Sequence, residues 1–94
     1  MPAATVRIPS LLADVGDGRR EIPVVAETVG GALAELFARS PHLRVHVLDE
    51  SGSVRPHVSV FYQGRAARDS AALGGPLADG SVITILQAVS GGGD

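Results

Sequence analysis

The 94-residue chain contains no cysteine and no lysine, and its aromatic side chains are limited to two Phe and one Tyr. Without cysteine, it cannot form disulfides, thiolate nucleophiles, cysteine-based zinc sites or cysteine-ligated iron–sulfur clusters. Without lysine, the glycine pairs at positions 30–31 and 74–75 cannot belong to a Walker-type phosphate loop. Because aromatic residues are so few, the core must be built from aliphatic side chains.

Basic character and long apolar segments are also missing. The formal net charge is −2, and no block of arginines interleaves with aromatic residues, so the footprint of a nucleic-acid-binding protein is absent. No apolar run is long enough to span a bilayer. The first ten residues, MPAATVRIPS, lack a basic segment followed by an apolar one. We therefore expect no signal peptide and a cytoplasmic location.

The residues that are present suffice for one small domain. Hydrophobic residues make up 45% of the chain. A chain of this length forms a single domain that buries about 60–65% of its unfolded surface. Its total stability should be modest, roughly 5–14 kcal/mol.

Alternating apolar and polar residues predict two strands near the start of the chain. The first is TVRIP at residues 5–9, and the second is REIPVVAE at residues 20–27. The glycines at 16 and 18 mark a turn between them, so the two strands should form a hairpin. Because Pro23 has no N–H, the second strand should lie at a sheet edge or carry a bulge.

One main helix and three more strands are predicted after this hairpin. The helix begins at Thr28, an acceptable N-cap, and ends at Ser40 and Pro41. The later strands are predicted at residues 43–50, 57–64 and 82–89, and residues 65–76 are predicted to be irregular, with Leu73 and Leu77 as core contacts.

This order of elements predicts an α+β domain over residues 1–89, in which one main helix covers one face of a small mixed sheet. The predicted core consists of Val6, Ile8, Leu33, Leu36, Phe37, Ile83 and Ile85. The other sheet face is then left to solvent or to a partner. Phe61 and Leu86 fall on this open face, either as a docking patch for a partner or partly covered by residues 65–76.

No catalytic constellation emerges from the titratable residues. The acidic residues are scattered over turns and faces, and none pairs with another at a useful spacing. His46 and His57 would face each other if the strands at 43–50 and 57–64 pair across the turn between them. Two imidazoles do not make a closed zinc site, which usually has four ligands. We therefore predict no metal site and no enzymatic activity of the chain itself.

The closing sequence AVSGGGD, residues 88–94, is the most informative stretch. Residues 90–94 are predicted to form a flexible, glycine-rich tail, which is either a frayed end or the working part of the protein. Glycine has no side chain, so a glycine tail can enter a narrow active site where any Cβ would clash. In extended form, residues 90–92 reach about 10 Å beyond the domain.

Three segments resemble the ThiS/MoaD family of ubiquitin-like sulfur carriers. The resemblance is strongest in PLADGSVITILQAVSGG at residues 76–92, and it extends to VSVFYQGRAARD at 58–69 and TVGGALAELFARSPHL at 28–43. The run VITILQAVSGG is most similar to the CysO type of carrier. The family often has proline where this chain has Gln87. The resemblance implies a β-grasp fold, in agreement with the order of elements.

The resemblance also implies a chemistry for the tail. In this family, an adenylating enzyme of the ubiquitin-activating type uses ATP to convert the terminal glycine carboxylate to an acyl-adenylate. A sulfur donor then displaces AMP and leaves a thiocarboxylate. A PLP-dependent synthase or another sulfur-transfer enzyme accepts this sulfur for cysteine or for another metabolite such as a thiosugar. The carrier itself binds no cofactor.

By the same resemblance, Gly92 is the residue that becomes the thiocarboxylate, and Gly93 and Asp94 are an extension removed by a JAMM-type metalloprotease. Gly93 becomes the reactive end if only Asp94 is removed. The residues that would thread the partner's active site are Val89, Ser90, Gly91 and Gly92. Two alternatives remain open: the small subunit of molybdopterin synthase, and a ubiquitin-like binding module without sulfur chemistry.

Overall fold

The computed structural model describes residues 1–15, 18–67 and 73–87. Its elements, in chain order, are β1 (Ala3–Arg7), α1 (Ser10–Val15), β2 (Glu21–Val25), α2 (Val29–Arg39), α3 (Pro41–Val47), β3 (Val58–Tyr62), β4 (Arg65–Ala66) and β5 (Ser81–Gln87). Within these ranges, no helix has the length and hydropathy to cross a membrane.

The strands of the described residues form one mixed sheet in the order β2-β1-β5-β3-β4. β1 pairs antiparallel with β2 and parallel with β5, and β5 pairs antiparallel with β3. β5 therefore lies at the centre of the sheet although it comes last in sequence. The predicted α+β class, with a small mixed sheet and one main helix, is confirmed.

The prediction from Pro23 is also confirmed, because β2 is an edge strand. Pro23 lies opposite Thr5 on β1. Its carbonyl accepts a hydrogen bond of 2.7 Å from Nη1 of Arg39. The outer edge of the sheet thus has no donor at Pro23 and an acceptor that is already occupied, which makes it a poor template for another strand.

α2 covers the inner face of the sheet and completes the core. Its N-cap is Thr28, whose Oγ1 accepts a hydrogen bond of 3.0 Å from the N–H of Gly31. Every residue predicted for the core is buried, namely Val6, Ile8, Leu33, Leu36, Phe37, Ile83 and Ile85. Leu77 is buried as well, and Leu73 is partly buried against the same core, as predicted.

The predicted strand at residues 43–50 is wrong, because most of this segment is α3, Pro41–Val47. Pro41 stands in the first turn, where its missing N–H costs nothing. Leu43 and Val47 are buried four residues apart on one helix face, whereas Val45 is 59% exposed. A strand would have placed all three on the same side.

The loss of this strand also removes the predicted pairing of two histidines. His46 lies in α3 and His57 precedes β3, so they do not face each other across neighbouring strands. Among the described residues, no group of three or more metal-ligating side chains comes together.

The sequence reasoning missed α1, which separates β1 from β2. Leu12 and Ala13 of this short helix are buried in the core. The helix is anchored by the carbonyl of Pro9, which accepts hydrogen bonds of 3.0 Å from the N–H groups of both residues. Part of the turn predicted at residues 16–18 lies outside the described residues.

Residues 65–76, predicted as irregular, contain the two-residue strand β4. β3 and β4 are joined by Gln63 and Gly64, with φ angles of 54° and 77°. Positive φ at both positions is the requirement of a type I′ hairpin turn. The predicted last strand, at residues 82–89, is present as Ser81–Gln87. Its final two residues, and the predicted boundary between domain and tail, lie outside the described residues.

Candidate functional site

The structure describes β5 up to Gln87. Gln87 is the last described residue before the predicted tail at residues 90–94, and it is here called the base of the tail. The predicted reactive glycines, Gly92 and Gly93, lie outside the described residues. So do the other members of the tail set, namely Val89, Ser90, Gly91 and Asp94. The structure therefore defines the surface from which the tail starts.

The predicted docking residues Phe61 and Leu86 share the sheet face opposite α2. Phe61 lies opposite Thr84, and Ser59 lies opposite Leu86, so the two apolar side chains are diagonal neighbours. Leu86 is 48% exposed, whereas Phe61 is half-buried beside Ala66 of β4. An apolar pair is thus accessible one residue before the last described position.

Two further apolar side chains, Val82 and Val25, are exposed on this open face. Val82 is four residues before Leu86 on the same side of β5, and Val25 lies at the far edge on β2. They are 45% and 48% exposed. The open face is therefore a broad, partly apolar surface that continues from β2 to β3.

Charged side chains stand at one end of the open face. Nε of Arg7 lies 3.3 Å from Oε2 of Glu21, and both side chains are more than half exposed. An exposed ion pair contributes only about 0–1 kcal/mol to stability. Its main effect is to set where charge is presented next to the base of the tail.

A cleft of about 680 Å³ opens at this end of the sheet. It is lined by residues 7–10, 20–21 and 84–86, where the ends of β1 and β5 meet the start of β2. Arg7 and Arg20 contribute positive charge to its wall, and Glu21 contributes the one negative charge. Apart from Leu86, none of these residues was predicted from the sequence to have a functional role, because they come together only through the parallel pairing of β1 with β5.

Gln87 itself has an unusual environment. Its side chain lies on the same face as Val58, which is fully buried. Within the described residues, its Oε1 is buried without a hydrogen-bond partner. A buried acceptor that lacks a partner costs about 1–3 kcal/mol. The base of the tail therefore carries a polar group that the described part of the fold leaves unsatisfied.

Among the described residues, the one clear electrostatic perturbation lies outside this site. The pKa of Asp49 is lowered, chiefly by the hydroxyl of Ser51, which donates a 2.7 Å hydrogen bond to Oδ1. The backbone N–H groups of Ser53 and Ser51 add further hydrogen bonds to the same oxygen. These hydrogen bonds stabilise the turn between α3 and β3, so the lowered pKa of Asp49 is explained by local structure.

The sequence and the fold were compared with known proteins. The ThiS family model matches residues 13–92. The sulfur carrier protein CysO of Mycobacterium tuberculosis is 30% identical over 90 residues, which cover 94% of this chain and 97% of that protein. SAMP1 of Haloferax volcanii superposes with a TM-score of 0.81 at 32% identity, over 96% of this chain and 99% of that one. The BexX/CysO complex of Amycolatopsis orientalis contains a chain that matches with a TM-score of 0.81 at 26% identity, over 95% and 99%.

Proposed function

Because the chain belongs to the ThiS family and has the ubiquitin-like β-grasp fold, we propose that it is a sulfur carrier protein whose C-terminal glycine becomes a thiocarboxylate. The observation that carries the proposal is the family match, which runs to Gly92 and ends there. The similarity to CysO over almost the whole chain supports it. These relatives bear the names of carrier and modifier proteins, in accord with a protein that is itself no enzyme.

The proposed chemistry takes place in partner enzymes. In an adenylating enzyme of the ubiquitin-activating type, an oxygen of the terminal carboxylate attacks the α-phosphorus of ATP and pyrophosphate leaves. A sulfur nucleophile then attacks the acyl carbon and AMP leaves, so that one oxygen of the carboxylate is replaced by sulfur. A PLP-dependent synthase, or another sulfur-transfer enzyme, accepts the sulfur for cysteine or for another metabolite such as a thiosugar. These steps require ATP and agree with the expected cytoplasmic location.

The carrier role requires processing of the tail. Asp94 cannot serve as the reactive end, because the thiocarboxylate is formed on a terminal glycine. We propose that a JAMM-type metalloprotease hydrolyses the bond between Gly92 and Gly93, which removes Gly93 and Asp94. Cleavage one residue later would leave Gly93 as the reactive end.

The likeness to SAMP1 supports a second candidate function. SAMP1 is a small archaeal modifier protein, and its fold superposes on this chain with a TM-score of 0.81. On this alternative, the activated glycine is attached to an amine of another protein instead of yielding its sulfur to a metabolite. The two functions share activation and differ in the acceptor.

The decisive experiment is intact-mass analysis of the chain after incubation with the processing protease, ATP, a sulfide source and the adenylating enzyme. We expect loss of Gly93 and Asp94, then exchange of one oxygen atom for one sulfur atom at the new terminus. Since the chain has no cysteine, alkylation of the product by a thiol reagent reports the thiocarboxylate. An unmodified chain, under conditions in which a known carrier is converted, contradicts the proposal.

We propose that the adenylating enzyme docks on the apolar pair Phe61 and Leu86 of this chain. Replacing Leu86 with Ala should raise the KM for the carrier about tenfold, because a side chain covered in the complex is lost. The measurement is ATP–pyrophosphate exchange at varied carrier concentration. Val25→Ala is the matched control, since Val25 is equally exposed but lies on the far edge strand. Equal KM values for the two variants would rule out docking through Leu86.

A further inference from the structure

The backbone ladder between β1 and β5 stops before β5 does. The last pair is Arg7 with Thr84, and β5 continues to Gln87. Pro9 stands where β1 would make its next hydrogen bonds to β5. It has no N–H, and its carbonyl is occupied by the first turn of α1. One proline thus ends the ladder and starts the helix.

The hydrogen-bonding alternation shows which groups of β5 remain open. The N–H of Ala67 donates to the carbonyl of Val60 at 2.6 Å, so the backbone N–H and C=O groups of Val60 point towards β4. The backbone groups of its neighbours Ser59 and Phe61 therefore point towards β5. Their partners Leu86 and Thr84 therefore bond to β3. Ile85 and Gln87 point their backbone groups the other way, towards the side that β1 has left.

The wall of this opening is positively charged. Ile85 lines the cleft described above, together with Pro9 and Arg20. Glu21 is paired with Arg7, and neither of the two ion pairs within the described residues includes Arg20. Arg20 is therefore available to a negative group that enters the cleft.

From these observations we infer that the opening beside Ile85 and Gln87, here called the β5 notch, binds an extended segment of the enzyme that receives the tail. That segment pairs its backbone with the carbonyl of Ile85 and the N–H of Gln87 and places an acidic side chain against Arg20. Strand addition of this kind derives affinity from main-chain hydrogen bonds. The inference rests on the proposed function, since it takes the partner to be the adenylating enzyme.

Two features favour an enzyme segment over a second copy of this chain. The notch is continuous with the base of the tail, so an enzyme that holds the tail must approach the residues beside it. A second copy offers poor strands for addition, because the β2 edge is interrupted at Pro23 and β4 has two residues. Charge complementarity with Arg20 adds a requirement for an acidic partner.

The notch can be tested by removing one N–H. Gln87→Pro deletes the N–H that faces the notch and costs no bond to β3, whereas Gln87→Ala keeps the N–H and removes the same side chain. We expect the KM for the carrier in ATP–pyrophosphate exchange to be about fivefold higher for the proline variant than for the alanine variant, since one hydrogen bond is lost. The kcat should be unchanged. Equal KM values, with both variants folded, would overturn the inference.

The charge requirement is tested separately with Arg20→Glu. This variant should raise KM about tenfold, because an attraction becomes a repulsion. Arg65→Glu is the matched control, since Arg65 is an exposed arginine on the opposite edge strand. Equal effects of the two substitutions would show that only net charge matters and would exclude the specific contact.

Amide exchange of the free protein needs no enzyme. The N–H of Leu86, bonded to β3, should exchange slowly, and the N–H of Gln87 should exchange much faster. Strong protection of Gln87 in the free monomer would mean that the edge is closed, and would overturn the inference even if the chain is a carrier. Protection that appears only as the protein is concentrated would assign the notch to a second copy. Failure of the wild-type chain to be adenylated would instead overturn the proposed function.

Discussion

A chain that ends at Gly91 is expected to form no measurable thiocarboxylate, whereas a chain that ends at Gly92 reacts fully without any protease. Both chains end in glycine, so the difference between them is reach. Removing one residue shortens the tail by about 3.5 Å. A misplacement of about 1 Å in an active site already costs on the order of 100-fold in rate. Intact mass after incubation with ATP, sulfide and the adenylating enzyme measures the outcome.

Two further chains complete this test. A chain lacking only Asp94 separates the two possible termini, because faster conversion of this chain than of the Gly92 chain would move the reactive end to Gly93. A chain ending at Val89 separates a carrier from a pure binding module, which would keep its partner affinity without the tail. Equal conversion of the Gly91 and Gly92 chains would contradict the assignment of Gly92.

Leu36→Ala is expected to destabilise the fold by about 2–5 kcal/mol, a large part of a total of roughly 5–14 kcal/mol. Leu36 lies on the buried face of α2 and is fully inaccessible to solvent. Truncation removes its contacts and leaves a cavity that the surrounding sheet and helix fill only partly. Thermal unfolding should show a midpoint lowered by at least about 10 °C.

The control for this substitution is Leu11→Ala. It makes the same chemical change at a residue on α1 that is 58% exposed. We expect a change of about 0.5 kcal/mol or less, as is usual for surface substitutions. A similar loss of stability in both variants would mean that Leu36 does not hold α2 against the sheet.

Much of the fold follows from local pattern. The hydrophobic stripe of α2, the alternation of β1 and β5 and the edge position implied by Pro23 are all visible in sequence. The strand prediction for residues 43–50 was wrong because Leu43, Val45 and Val47 alternate as in a strand, while Leu43 and Val47 also have the spacing of a helix. Tertiary packing decides between the two, and it buries only the helical pair.

The candidate site was predictable only in part. The glycine tail and the pair Phe61 and Leu86 could be identified, because composition and strand period are local signals. The roles of Pro9 and Arg20 could not, since they depend on which strand lies beside β5 and in which register. A parallel pair between the first and last strands leaves no trace in the local sequence.

The position of β5 has a consequence for synthesis. The residues of β1, β2, β3 and β4 are all synthesised before residue 81, but the β1–β2 pair and the β3–β4 pair are joined in the sheet only through β5. Pairs such as Ala4 with Ser81 span almost the whole chain, and contacts of this separation form late. β5 must therefore emerge from the ribosome before the complete core can form. The segment proposed to be activated follows β5 in sequence. An activating enzyme that binds the assembled β5 surface would therefore act only on folded molecules.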